Sequence, residues 1–280
     1  MLTEMDIYLF DLRGYLILRR ALRAPEVAAM NAVLDGFLPV ELGQWRGAVH
    51  AHSFNGQDGI NLQQIYEAGP PFERLIDHPS WIDHVQRFVG GEGTFDHNLG
   101  PLFIDENFAN LRGPGEAIPM HSGGDTHCLR TQFHVHNGQF HCGQVNVLMA
   151  LNDIGPGDGA TMIIPASHKA NFPHPDRATQ GWAAGNSMDN VEGAIEVHLN
   201  AGDALLFVDA IMHGSARRSN PGQRRIVVYR YGPSWGNFRH GYQPTPELLA
   251  RLTPPQRQIV QPQRPVSRTA PATVAETGYR

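Results

Sequence analysis

Histidine is unusually frequent in this 280-residue chain, with 15 copies, and a few of them stand beside other groups able to do chemistry. Ile118-Pro119-Met120-His121-Ser122-Gly123-Gly124-Asp125 sets an imidazole near a carboxylate. Far downstream, Ala201-Gly202-Asp203-Ala204-Leu205-Leu206-Phe207 leads to Met212-His213-Gly214-Ser215, and then to Gln223-Arg224-Arg225. Between them, Leu151-Asn152-Asp153 and Gly155-Pro156-Gly157-Asp158-Gly159 run into Ile164-Pro165-Ala166-Ser167-His168-Lys169. A further pair, His134 and His136, is spaced to share one strand face, as cupin metal ligands do. Such a site would want a Glu shortly after, whereas the chain continues Asn137-Gly138-Gln139-Phe140-His141. The pair is therefore assigned to the rim of a cleft or to a hairpin surface. Gln144 and Asn146 share a face of the next strand and could reach that cleft or pack between strands.

Taken in order, the three segments resemble the phytanoyl-CoA dioxygenase family of iron(II)/2-oxoglutarate enzymes. The resemblance spans roughly residues 100 to 232 and rests on the Pro-x-Ser-His-Lys segment, the Ala-Gly-Asp and His-Gly-Ser segments, and an arginine eleven residues beyond that histidine. It implies a double-stranded β-helix, a jelly-roll of two sheets with a cleft open at one end. There, two imidazoles and a carboxylate hold Fe(II) and leave adjacent positions for 2-oxoglutarate and O₂. His121 and His213 match the two histidine ligands. Arg224 matches the arginine that grips the distal carboxylate of 2-oxoglutarate, since a guanidinium binds it bidentately and stays charged when buried. Ser215, two residues past His213, could add a hydroxyl hydrogen bond. His168 is read as structural, in a turn where the family usually has Gly at the position of Ala166. Trp182, Arg217, Arg218 and Trp235 are candidate substrate contacts.

One departure matters. The family writes its first ligand pair as His-x-Asp, and here that carboxylate is replaced by Gly123. In one account Asp125 supplies the metal ligand. Residues four apart on a strand are separated by about 13 Å, so this needs the turn that Gly123-Gly124 would permit. In the other, the position stays open for chloride, as in the halogenases of this enzyme class. The first account implies oxidation, such as hydroxylation, of a small organic metabolite; the second implies halogenation. A cupin-like isomerase, a sugar-binding module or a non-catalytic relative would share the fold without the chemistry.

Positioning these groups falls to two kinds of chain. Up to about residue 93 the pattern is mainly helical: Asp6–Leu12, a helix opened by Ala24-Pro25-Glu26, and a patch over 72–89, interrupted by a short strand at 14–18. From Thr94 to 232, short apolar runs alternate with Gly, Pro, Asn and Asp, predicting strands near 100–111, 116–121, 129–136, 140–151, 160–164, 194–199, 203–208 and 224–231. Asn137-Gly138 between two such runs is a hairpin signal. The whole of 1–253 is expected to form one mainly β domain with the N-terminal helices on one sheet, followed by a loose Pro/Gln/Arg-rich tail over 254–280.

Composition narrows the function. The chain is 41% hydrophobic and 18% charged with a net charge of −5, and no basic run exceeds a pair, which disfavours nucleic-acid and membrane-surface partners. With no apolar run of about 18 residues, acids near the N-terminus and only Cys128 and Cys142, a soluble, cytoplasmic enzyme in a reducing compartment is expected. Its partner would be a small-molecule substrate.

Overall fold

The computed structural model describes residues 1–90, 99–122, 128–177, 187–236 and 242–263. Helix α1 (Glu4–Arg13) starts where Thr3 and Asp6 form a capping box, and it ends at Gly14. Strand β1 (Tyr15–Leu18) follows, then α2 (Ala24–Phe37), which has Pro25 in its first turn and buries Val27, Met30 and Leu34. Next come β2 (Trp45–Arg46), β3 (Val49–His52), β4 (Ile60–Gln63), α3 (Pro70–Glu73) and α4 (Ile82–Val89). The remaining strands are β5 (Leu102–Arg112), β6 (Phe133–His136), β7 (Gln139–Cys142), β8 (Val145–Ala150), β9 (Thr161–Ile163), β10 (Ile195–Val197), β11 (Ala204–Val208), β12 (His213–Ser215) and β13 (Arg224–Pro233). Helices α5 (Pro246–Arg251) and α6 (Pro254–Val260) close the described chain.

Eight strands form one antiparallel sheet in the order β1-β11-β8-β13-β5-β4-β3-β2, and β10-β9-β12 form a smaller one. This is the mainly β jelly-roll that the sequence predicts. The helices cover one face of the large sheet, where the Tyr229 hydroxyl donates to Phe72 O (2.7 Å) and the Tyr231 hydroxyl to Leu75 O (2.9 Å). On that side Phe10, from α1, stacks on Phe88 of α4 at 3.9 Å between ring centroids. The small sheet sits on the other face, so the groups on that face of β5, β8, β11 and β13 look into the gap between sheets.

Several expectations need correction. The N-terminal third supplies β1 to β4 to the main sheet as well as helices, because its short strands pair with distant ones that local pattern does not reveal. The 72–89 patch is two helices, α3 and α4, on either side of a turn at Asp77–Trp81 that sinks Trp81 into the core. Residues 116–121 form only an isolated bridge, His121 to His213, rather than a strand. The segment starting at 254 is not loose: Thr253 and Gln256 make a capping box, and α6 buries Ile259 and Val260. Its paired prolines mark a helix start, where a missing N–H costs nothing. Residues 264–280 lie outside the described residues. Among those described, no helix is long and apolar enough to cross a membrane.

Candidate active site

His121 and His213 meet across the bridge that joins the segment before residue 122 to β12. Each backbone N–H donates to the other's carbonyl, at 2.9 and 3.1 Å, and the ring centroids are 4.1 Å apart. Gly214 allows this approach: a Cβ there would come within 2.8 Å of Pro119 O and 2.7 Å of Ile118 O. The two rings are held in the same manner. Nδ1 of His121 lies 2.8 Å from Pro119 O and Nδ1 of His213 lies 2.7 Å from Ile211 O, in each case the carbonyl two residues earlier. A carbonyl only accepts, so both Nδ1 atoms carry hydrogen and the lone pairs sit on Nε2. Burial pushes both pKa values down, and for His121 the neighbouring His213 pushes further, so the rings are neutral near pH 7. Neutral imidazoles with oriented Nε2 atoms are what a first-row metal ion requires.

A concentration of positive charge occupies another part of the site. Arg112, Arg218 and Arg224 are all buried, at 0%, 4% and 1% exposure. Arg218 has its own counter-ion, Asp158, at 3.1 Å. Arg112 and Arg224 have none among the described residues: both donate to the Gly159 carbonyl, Arg224 also donates to Asn110 Oδ1 (2.8 Å), and Arg112 donates to Ser215 Oγ (2.5 Å). Burial depresses the Arg224 pKa, and the neighbouring arginines depress it further, while that of Arg112 falls to about 10 for the same first reason. The Nε atoms of both find no hydrogen-bond partner among the described residues. The buried Arg224 guanidinium, which borders the cavity, is a setting for a carboxylate. Ser215 fits the same purpose. Its oxygen accepts from Arg112 and from the Ile118 N–H (2.7 Å), so its hydrogen is the capacity left to offer.

Arg224 is held in turn by a chain of amides. Asn110 Nδ2 donates to Asn61 Oδ1 (3.0 Å), and Asn61 Nδ2 donates to Asp58 Oδ2 (2.6 Å). Asp58 also accepts from Ser53 and from the backbone of Phe54 and Asn55, anchoring the loop after β3. The two histidines, Ser215, Arg224, Asn110 and Asp58 border one cavity of about 430 Å³, within the range of ordinary ligand pockets. Leu148, Phe207, Ile226 and Val228 are among its apolar lining. Asp209, Arg130, Arg177 and Arg230 add charge. Asp209 accepts from Asn146 (3.0 Å) and pairs with Arg130 (3.0 Å), while Arg230 pairs with Glu106 (2.8 Å).

The structure thus brings His121, His213, Ser215 and Arg224 to a single cavity. Gly123, Asp125 and Trp182 lie outside the described residues. Arg225 is half-buried outside the cavity, paired with Asp35 (2.7 Å). Of the substrate-contact candidates, Arg218 is spent on Asp158, and Arg217 and Trp235 are on the exterior rather than the cavity wall. His134 and His136 are exposed on the β6–β7 hairpin. His168 is structural: its Nε2 lies 3.0 Å from Asp11 O, and its turn holds Ala166 at φ +66°, where a glycine would be relaxed. The sequence reading missed Arg112, Asn110, Asp58, Asp209 and Arg130. Asn110 and Arg112 alternate along β5, a signal that polar side chains share a face, but nothing local says that this face is the cavity.

The sequence profile described as phytanoyl-CoA dioxygenase (PhyH) matches residues 10–226. The chain belongs to the phytanoyl-CoA dioxygenase family. Within curated sequences, this family member is 25% identical over 117 residues to dioxygenase cdmD of Talaromyces verruculosus, covering 41% of this chain and 35% of that protein. It is 31% identical over 88 residues to dioxygenase ALT11 of Alternaria alternata, covering 31% and 25%. The matched stretches are therefore well under two thirds of either relative. Among solved structures, HygX of Streptomyces hygroscopicus with nickel and 2-oxoglutarate superposes with a TM-score of 0.69 at 25% identity, covering 89% of this chain and 94% of HygX. HygX has also been solved with iron, and with nickel, 2-oxoglutarate and hygromycin B.

Proposed function

We propose that this phytanoyl-CoA dioxygenase family member is an iron(II)/2-oxoglutarate-dependent oxygenase that oxidises a C–H bond of a small polar metabolite and releases succinate and CO₂. The observation that carries this reading is the pair of neutral imidazoles, with ring centroids 4.1 Å apart and Nε2 lone pairs set by backbone carbonyls, in one cavity with the buried Arg224 guanidinium, which has no counter-ion among the described residues. His121 and His213 would hold the iron through Nε2. Arg224 and the Ser215 hydroxyl would take the distal carboxylate of 2-oxoglutarate, with Arg112 fixing the Ser215 oxygen from behind. Asp125 is the proposed carboxylate ligand, which a turn at Gly123-Gly124 would have to bring round to the metal; a chloride at the Gly123 position is the rival, which would redirect the product from hydroxylated to halogenated.

Bound iron(II) supplies oxygen activation, coupling oxidative decarboxylation of the keto acid to substrate oxidation. The chain's own part is to bind, orient and exclude water. Leu148, Phe207, Ile226 and Val228 keep the cavity wall dry, which strengthens the Arg224–carboxylate pair. The Arg130–Asp209 and Arg230–Glu106 pairs present fixed charges without burying an unpaired one. The HygX complex with hygromycin B supports a small-molecule substrate.

The test is anaerobic addition of Fe(II) and 2-oxoglutarate to the purified protein. A visible metal-to-ligand charge-transfer band is expected, weakened in Arg224→Ala and missing in His213→Ala. A wild-type protein that gives no band overturns the proposal. Product analysis of wild type and Asp125→Asn, with and without chloride, then decides between the two ligand sets: a halogenated product would remove Asp125 from the site.

A further inference from the structure

Two separate parts of the cavity wall depend on Asp58, a buried carboxylate that itself borders the cavity. It accepts from uncharged donors: the Ser53 hydroxyl, the N–H groups of Phe54 (3.1 Å) and Asn55 (3.3 Å), and Asn61 Nδ2 (2.6 Å). The first three shape the loop that carries Phe54 into the cavity lining, where it meets Phe108 edge to face at 5.8 Å. The fourth begins a path to Arg224. Asn61 Oδ1 accepts from Asn110 Nδ2 (3.0 Å), and Asn110 Oδ1 accepts from Arg224 (2.8 Å). Asn110 Nδ2 also donates to the Asp58 carbonyl (2.8 Å). A guanidinium only donates and a carboxylate only accepts, so the charges at the two ends fix the sense of both amides. Turning either amide over would set donor against donor on one side and acceptor against acceptor on the other. The same loop touches the metal side of the site, because Gln57 O accepts from the N–H of Ala117, in the segment that leads to His121 (3.0 Å).

We infer that Asp58 is a positioning residue that links the two ends of the cavity, so that 2-oxoglutarate binding at Arg224 tightens the 53–58 loop and sets the Phe54 wall for the substrate. The inference rests on the oxygenase reading for the identity of the anion at Arg224. A carboxylate docked there fixes a guanidinium that has no counter-ion among the described residues. A fixed guanidinium holds Asn110 Oδ1 as its acceptor, and the other end of that amide is then committed to Asn61 and to the Asp58 carbonyl. Hydrogen bonds in such a directed chain polarise one another, so strengthening the first strengthens the last. Binding that removes freedom from shared groups lowers the cost of the next binding event. The linkage is reciprocal: a substrate group packed on Phe54 must tighten 2-oxoglutarate by the same factor. Asp58 acts throughout by way of Asn61, Asn110 and the loop.

The test is hydrogen–deuterium exchange, read by mass spectrometry on the full chain loaded with redox-inert Zn(II), with and without saturating 2-oxoglutarate. The amides of Phe54 and Asn55 report directly, since both donate to Asp58. In wild type, 2-oxoglutarate is expected to slow exchange severalfold in the peptide spanning 53–58. Asn110→Leu interrupts the chain but leaves the bonds from Ser53, Phe54 and Asn55 to Asp58, and is expected to lose the slowing. Asp58→Asn keeps the shape but offers a donor where the chain ends on an acceptor. It is expected to exchange fast in 53–58 under both conditions, and to weaken 2-oxoglutarate about fivefold in a charge-transfer titration with Fe(II), the scale of one hydrogen bond. Unchanged protection of β8 shows that each variant is folded. A charge-transfer band in wild type without any slowing in 53–58, or slowing that persists in Asn110→Leu, overturns the inference alone. No band in wild type overturns the oxygenase reading, and the inference with it.

Discussion

The imidazoles of His121 and His213 owe their tautomer to carbonyls two residues upstream, a hydrogen bond to the local backbone. Replacing either histidine by alanine is therefore expected to abolish iron retention, measured by metal content after desalting, while leaving the fold in place. Arg224 is different, because its direction is imposed by Asn110 and Gly159. Arg224→Lys keeps the charge and loses the fork, and its KM for 2-oxoglutarate is expected to rise roughly tenfold or more, the worth of one charge-assisted bond. Asn110 acts through Arg224. In Asn110→Leu, steady-state succinate formation should show a raised KM for 2-oxoglutarate with kcat nearly unchanged, and an unaltered KM would remove Asn110 from the positioning chain.

At the scale of elements, the approach of β12 to the 118–121 segment decides whether two distant histidines share a site. That approach passes through Gly214, where a Cβ would press on two carbonyl oxygens and on Met188 Sδ (2.8 Å). Gly214→Ala is expected to cost about 1–3 kcal/mol of stability, as overpacking does, and to weaken iron binding by separating the rings. Denaturant unfolding and metal titration read the two effects. The β6–β7 hairpin shows the opposite case, an element set by its own turn. Asn137 and Gly138 take φ of +49° and +74°, the primed turn that their types favour.

For the whole molecule, the buried histidines make stability depend on pH. Burial lowers the pKa of His168 to about 4, against about 6.5 for an unfolded histidine. The unfolded chain thus takes up a proton that the folded chain refuses as pH falls from about 6.5 to about 4. Its contribution is full above 6.5 and is lost across that window, on the order of 3 kcal/mol. Urea midpoints should fall between pH 7 and pH 4, and His168→Gln should flatten that slope. A slope unchanged by the substitution would mean that His168 takes its proton without unfolding.

The sequence by itself determined the groups and much of the scaffold. The segments around His121, His213 and Arg224 carried the family and the jelly-roll, because residue type at fixed spacing survives without coordinates. The turn at Asn137-Gly138 was equally local. Tertiary structure alone decided the rest. Arg112, Asn110 and Asp58 became part of the site only when β4, β5 and β13 were set in register, since a strand's alternation says that two side chains share a face but not what that face meets. Strand pairing is a contact between residues far apart in the chain, and its energy comes from neighbours that no local window contains.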